Sequence, residues 1–297
     1  MAVLRSILRS VVFVSLLLAA VLDGQFRKMF LGMKVGAEGS VWVSRWCRRI
    51  MRAMQLECVI EGPIPKAGER GLAVVSNHLS YLDILTMSAT RPFIMVSKVE
   101  VRGWPLLGWI TAQAGTVYVQ RSDLKGGKTQ THAEVNAMMA EAFRSGLPVL
   151  FYPEGTTTGG ETILPFRRGL FNSVVYDNVP VKTSAMTYTM GAGNGDATVA
   201  KDVCFVGDAE FGPHLFKALG LKNLKVRVKF GAEEIAGSDR FELAFKSRDA
   251  VIDLYEGLVG VTSIARQVAF PSQQSQYQFD RPEEELASVY DETTVAG

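Results

Sequence analysis

Between residues 56 and 230, seven short apolar runs recur, separated by stretches of about 10 to 40 residues. They fall at 56–61, 72–76, 93–97, 116–119, 149–152, 179–184 and 226–230. Runs this short, rich in Val, Leu, Ile and aromatics and bounded by Gly, Pro and polar residues, read as strands. Helical spacing fits at 83–88, 131–145 and 168–175, with a last helix at 246–258. Strand–helix alternation predicts an α/β fold, a mixed and largely parallel sheet flanked by helices. In such sheets the chemistry gathers outside the carboxyl ends of the strands. The polar residues that end each run are therefore where a site is to be sought.

Two of those ends carry reactive side chains. The run 72–75 is followed by Asn77-His78 and, five residues after the histidine, Asp83. A histidine activates a hydroxyl when one ring nitrogen is a free acceptor and the other is held as a donor, which a nearby carboxylate ensures. On spacing alone a second reading stands beside this one, with His78 capping a loop and Asp83 as the N-cap of the next helix. The run 149–152 ends in Pro153-Glu154-Gly155-Thr156-Thr157-Thr158, and the run before it delivers Arg121.

Taken in this order the motifs resemble those of the glycerolipid acyltransferase family, over roughly residues 55 to 235. Asn77, His78 and Asp83 match its asparagine-histidine, four residues, aspartate motif. Residues 115–121 match its glycine-apolar run ending in arginine, 151–156 its aromatic-proline-glutamate-glycine-threonine string, and 179–181 its short apolar run around a proline. The resemblance implies transfer of a fatty acyl group from a thioester of acyl-carrier protein or coenzyme A to the free hydroxyl of a lysolipid. His78 would be the general base and Asp83 the group that fixes its tautomer. The substrate hydroxyl is the nucleophile, so no covalent enzyme intermediate is needed, and the oxyanion would be met by backbone N–H groups near a strand end. Arg121 would clamp an anionic headgroup, with Lys98 as a second candidate; the alternative for Arg121 is a surface ion pair. Glu154, Gly155 and Thr156 would line the acceptor site, Glu154 accepting a glycerol hydroxyl and Gly155 allowing close backbone approach, unless that glycine serves only a turn. No cofactor beyond the acyl carrier and no metal is expected.

The acceptor expected first is lysophosphatidic acid. One departure raises a runner-up. Where the bacterial type member has an arginine after the threonine of the third motif, this chain has Thr157. A charge-assisted contact is worth about 1.5–3 kcal/mol, so its loss favours a headgroup other than a phosphate monoester, such as that of lyso-ornithine lipid. Lys98, Arg167 or Arg168 could supply the missing charge. A thioesterase and an inactive membrane-binding homologue are the more distant readings, the second disfavoured by the intact His78–Asp83 pair.

Charge is distributed unevenly along the 297 residues. Residues 1–54 carry nine Arg and Lys against Asp23 and Glu38, whereas the segment from Gln276 carries six acids against Arg281. Residues 11–22 are uncharged, a run shorter than the roughly 20 residues a bilayer span needs. An anchor dipping into one leaflet, a span lengthened by snorkelling arginines and a cleaved signal peptide all fit, although no good small-residue cleavage site follows. In residues 41–54, Trp42, Trp46, Ile50, Met51 and Met54 fall on one helical face and Arg45, Arg48, Arg49 and Arg52 on the other. This is read as a helix lying in an anionic membrane interface, in preference to a helix packing on the core. The expected organisation is membrane-anchoring helices at 1–54, an acyltransferase domain at 55–260 and a polar, acidic tail at 261–297. The expected location is the inner membrane, with the catalytic domain toward the cytoplasm.

Other patterns carry less. Cys47, Cys58 and Cys204 are scattered and fit neither a disulfide framework nor a zinc site. The stretch 122–129 mimics a phosphate-binding loop but starts with Ser122 where glycine is required. No Gly-x-Ser-x-Gly elbow supports a serine hydrolase, and nothing points to nucleic acid. His132, near a helix start, and His214, beside Pro213, read as surface residues.

Overall fold

A computed structural model of the chain describes residues 2–120 and 130–261. Arg121, the stretch 122–129 and the acidic tail from 262 lie outside the described residues. The expected strands form one seven-stranded sheet: β1 (Glu57–Glu61), β2 (Ala73–Ser76), β3 (Ile94–Lys98), β4 (Val117–Val119), β5 (Val149–Phe151), β6 (Val181–Met190) and β7 (Leu224–Ile235). Their order is β1-β7-β6-β2-β5-β3-β4, parallel throughout except for the antiparallel pair β6–β7. Strand β2 takes the centre because Ala73, Val74 and Val75 are wholly buried and apolar, as a strand covered on both faces requires.

Two strands run well past their apolar stretches. Along β7, buried Leu224, Val226, Val228 and Phe230 alternate with Lys225, Arg227 and Lys229. Lys225 pairs with Glu57 at 2.8 Å and Arg227 with Glu61 at 2.7 Å, both across the β1 edge. A half-polar strand of this kind is extended by its partners and not by its apolar content.

Helices α5 (His132–Phe143), α6 (Gly169–Tyr176) and α9 (Arg240–Val259) cover one face of the sheet, where Met139, Phe171, Leu243 and Val251 meet Val75, Phe151 and Val181. Helix α9 starts six residues before the predicted position because Asp239 caps it, accepting from the N–H groups of Phe241 and Glu242 at 2.8 Å. On the other face α3 (Leu82–Thr90) brings Leu82 and Met87 onto Val74, Leu150 and Met186. Beyond it a third cluster joins α1 (Ala2–Phe30), α2 (Ala37–Met54), α4 (Leu107–Gln113) and α8 (Phe211–Leu219).

This third cluster overturns the interfacial reading of residues 41–54. Trp42, Trp46, Ile50, Met51 and Met54 are buried in the protein, against α1, α3 and α4, and only the arginine face of α2 is turned outward. Gly39 lets α2 approach the backbone at Gln113, where a β-carbon would collide with the Gln113 carbonyl.

The lipid-compatible surface belongs instead to α1, a helix long and apolar enough to cross a membrane. Its 29 residues span about 43 Å at ~1.5 Å per residue. The uncharged run falls short of this length because Arg5 and Arg9 are used inside the fold. Arg5 Nε donates to Gly220 O at 2.6 Å and Arg9 Nη1 to Leu221 O at 2.6 Å, satisfying carbonyls exposed where α8 ends. Near the other end, Asp23 accepts from the indole N–H groups of Trp42 and Trp46, each at 2.9 Å. Leu17, Ala20 and Gly24 face inward, while Leu4, Leu8, Val11, Leu18 and Leu22 form an exposed stripe on the opposite face.

Candidate active site

The register of the sheet brings the two motifs together. Val75 of β2 lies beside Phe151 of β5, so the segments leaving both strands emerge side by side at their carboxyl ends. Asn77 ties the first segment to β6, donating to Met186 O at 3.0 Å and accepting from Met186 N at 2.8 Å. Thr158 N donates to His78 O at 2.9 Å, and Phe205 N to Leu79 O at 2.8 Å. Three loops, from residues 77, 153 and 203 onward, are thus stitched together around His78.

His78 Nδ1 lies 2.7 Å from Asp83 Oδ2. The same carboxylate oxygen accepts from Leu79 N at 2.7 Å and Ser80 N at 2.9 Å, and Oδ1 accepts from the Tyr188 hydroxyl at 2.7 Å. A carboxylate so engaged only accepts, so the imidazole proton sits on Nδ1 and the Nε2 lone pair is left to take a proton. Asp83 lies in the first turn of α3 and holds the ring, but it is not the helix N-cap, a position taken by Tyr81. Asp83 is fully buried, whereas the His78 side chain keeps 17% of its surface exposed. Tyr152 stacks on the imidazole with ring centroids 4.1 Å apart.

Glu154 does something the sequence reading did not anticipate. It is 2% exposed, and its two oxygens accept from backbone: Oε1 from His78 N and Oε2 from Leu164 N, both at 2.8 Å. Burial pushes its pKa from 4.5 up to about 7, against the pull of those two N–H groups. Gly155 sits at φ 71°, and a β-carbon there would come within 2.7 Å of Arg167 Nε. The glycine thus serves a left-handed turn, against which the Arg167 side chain packs. Thr156 is exposed beside it, and exposed Lys98 closes β3, two strands along the sheet from β2. Arg168 is drawn away, its guanidinium lying over Phe241 at 4.3 Å.

A family model described as Acyltransferase matches residues 55–187. A lyso-ornithine lipid O-acyltransferase of Pseudomonas aeruginosa is 32% identical over 208 residues, 69% of this chain and 75% of that protein. The chain belongs to the acyltransferase family. A 1-acyl-sn-glycerol-3-phosphate acyltransferase of Neisseria meningitidis is 29% identical over 69% of this chain and 76% of its own length. Among solved structures, the 1-acyl-sn-glycerophosphate acyltransferase PlsC of Thermotoga maritima superposes with a TM-score of 0.62 at 17% identity, covering 89% of this chain and all of that one. The fold is shared with it.

In this acyltransferase an apolar cavity of about 190 Å³ runs beneath α3 into the cluster of α1, α2, α4 and α8. Tyr81, Leu82 and Tyr152 line it near the imidazole, and Phe13, Leu17 and Ile110 line it farther in. Short-range patterning left the third loop unseen. After α7 (Val199–Asp202), Cys204 and Phe205 pack on the motif loops, and the Thr157 hydroxyl donates to the Phe205 carbonyl. His214, expected at the surface in a loop, is buried in α8; Nε2 donates to Cys204 O at 3.0 Å and Nδ1 accepts from the Tyr81 hydroxyl at 2.9 Å. Burial pushes the nearby Cys204 thiol up to about 12, which favours its protonated form.

Proposed function

We propose that this acyltransferase moves a fatty acyl group from an acyl thioester to the free hydroxyl of a lysolipid, with His78 as general base. The observation that carries this reading is the His78–Asp83 pair, its proton-accepting nitrogen turned away from Asp83 and its ring stacked on Tyr152, which lines an apolar cavity. The incoming hydroxyl gives its proton to Nε2 as its oxygen attacks the thioester carbonyl. Asp83 stabilises the imidazolium that forms, and the proton passes to the departing thiolate when the tetrahedral intermediate collapses. The cavity suits the acyl chain, and the donor is a thioester of acyl-carrier protein or coenzyme A. Thiol release should depend on added lysolipid; release that ignores it would instead indicate a thioesterase.

Lyso-ornithine lipid is the acceptor we favour, with lysophosphatidic acid second. At the place of the type member's arginine this chain has Thr157, whose hydroxyl donates to the Phe205 carbonyl. Relatives named lyso-ornithine lipid O-acyltransferase, from Pseudomonas aeruginosa and Rhodobacter capsulatus, are 32% and 34% identical, against 29% for the Neisseria enzyme. Support for lysophosphatidic acid comes from that Neisseria relative and from Arg167 against Gly155. In a panel of lysolipids assayed with one acyl thioester, kcat/KM for the lyso-aminolipid is expected to exceed that for lysophosphatidic acid about tenfold or more. The reverse order would restore the phosphate acceptor.

We further propose that α1 lies in one leaflet of the membrane, with its stripe of Leu4, Leu8, Val11, Leu18 and Leu22 among the lipid chains and the arginines of α2 toward anionic headgroups. Both arginine tethers to α8 and the Asp23 tether to α2 hold α1 flat on the domain. Acyl carriers then place the domain on the cytoplasmic side of the inner membrane. Deleting residues 1–54 would strip the core of Trp42, Trp46 and Ile50, so the test is by substitution on the exposed stripe. A Leu8→Glu/Val11→Glu/Leu18→Glu protein should fold normally and bind anionic vesicles at least about a hundredfold more weakly, as each buried apolar side chain contributes about 1.5–3 kcal/mol. Unchanged vesicle binding would assign the contact to another surface.

A further inference from the structure

His78 is held from behind by a residue far along the chain. Arg248, on α9, is 7% exposed and lies outside the segment matched by the family model. Its Nη2 and Nε donate to Ile163 O at 2.7 and 3.2 Å, and Nε also reaches Leu164 O at 3.1 Å. Leu164 N then donates to Glu154 Oε2, and Glu154 Oε1 accepts from His78 N, both at 2.8 Å. Hydrogen bonds and one peptide unit thus run from the guanidinium to the backbone of His78.

A cation is an expensive choice for this position. Neutral carbonyls can be satisfied by a neutral amide, and a buried guanidinium loses favourable hydration unless an anion offsets it. Among the described residues no carboxylate forms an ion pair with Arg248; the carboxylates whose charge reaches it are Asp249 and Glu154. We propose that Arg248 is a positioning residue of the acyl-transfer site, which fixes the His78 backbone through Leu164 and Glu154 and whose charge favours the form of Glu154 in which both oxygens accept. The inference rests on the reading of His78 as the base.

The groups acting on Glu154 give the sign. Burial raises its pKa to about 7; the N–H groups of Leu164 and His78 lower it, Asp83 from α3 raises it, and Arg248 from α9 lowers it. Tyr255, also on α9, senses Glu154, and Arg167 lies against the adjacent Gly155. Protonation would set an O–H against one of the two N–H donors and lose that bond. The doubly bonded form is therefore present above about pH 7 and lost as the pH falls through that value. Removing the charge of Arg248 moves the loss to higher pH.

The experiment compares Arg248→Met and Arg248→Lys in the full-length protein, using one acyl thioester and the best lysolipid acceptor, with pH profiles of kcat and KM and a melting curve for each. Arg248→Met is expected to lower kcat about tenfold to a hundredfold, the loss that a misplacement of about 1 Å brings. Its KM for the acceptor should be little changed, and the acid limb of its profile should move to higher pH. Arg248→Lys keeps the charge and one or two donors, and should restore the acid limb and most of kcat even if the methionine protein folds poorly. In a Glu154→Gln background the shift caused by Arg248→Met should vanish. An acid limb unmoved in both single variants, or a shift that persists without Glu154, overturns the inference. A parallel His78→Ala protein separates the two levels: if it keeps turnover, the base assignment fails; if it is dead while the Arg248 variants behave as wild type, only the role of Arg248 fails.

Discussion

A His78→Ala protein is expected to fold and to lose transfer to the lysolipid by about 10²–10⁴-fold, the range a positioned general base contributes. Folding should survive because the ring is partly exposed and stacks on one face of Tyr152, while Asp83 keeps its backbone donors at Leu79 and Ser80 and its bond from Tyr188. The imidazole is thus the dispensable partner of that carboxylate as far as structure goes. Steady-state thiol release with lysolipid present reads the activity, and a melting curve reads the fold. Turnover near the wild-type value in a folded protein would sink the assignment.

Asp83→Asn should cost comparably, for a narrower reason. An asparagine can keep its oxygen toward His78 Nδ1, Leu79 N and Ser80 N and turn its amide toward Tyr188, whose hydroxyl accepts as readily as it donates. The tautomer of His78 and the local backbone are then preserved, and what disappears is the negative charge that stabilises the imidazolium. A fall in kcat of about 10²–10⁴-fold, with KM and melting temperature near those of the wild type, is the expected result. Asp83→Ala, which also orphans the buried donors, should melt at a clearly lower temperature. If Asp83→Asn kept most of its kcat, the side chain would serve only to hold the backbone of Leu79 and Ser80 and the Tyr188 hydroxyl.

How far these features could be read from the residues depends on the range of the interaction. Strands β2 and β5 were legible because a buried parallel strand is an apolar run, and His78 with Asp83 because their contact is local. Glu154 was found, but its backbone donors were not, since His78 N reaches it only through the β2–β5 register and Leu164 N only through the fold of the loop after β5. Residues 41–54 illustrate a different limit. An amphipathic helix presents the same period whether its apolar face meets lipid or protein, and only the presence of α1 against Trp42 and Trp46 decides between them. His214 and Arg248 carry no local signature at all; their meaning lies in carbonyls 10 and about 85 residues away.

Helix α1 has one further consequence. Phe13, Leu17 and Ala20 line the cavity from one side of the helix, while Val11, Val14 and Leu18 point away from it on the other. With that outer side in lipid, a single helix about 10 Å across separates two hydrocarbon phases. An acyl chain exchanging between them past α1 would leave one oily medium for another and never wet its methylenes, so its length would hardly enter the free energy of exchange. Chain selectivity would then come from the shape of the inner wall alone. Enlarging Leu17 should shorten the preferred acyl chain, whereas enlarging Val14 should leave the preference where it is.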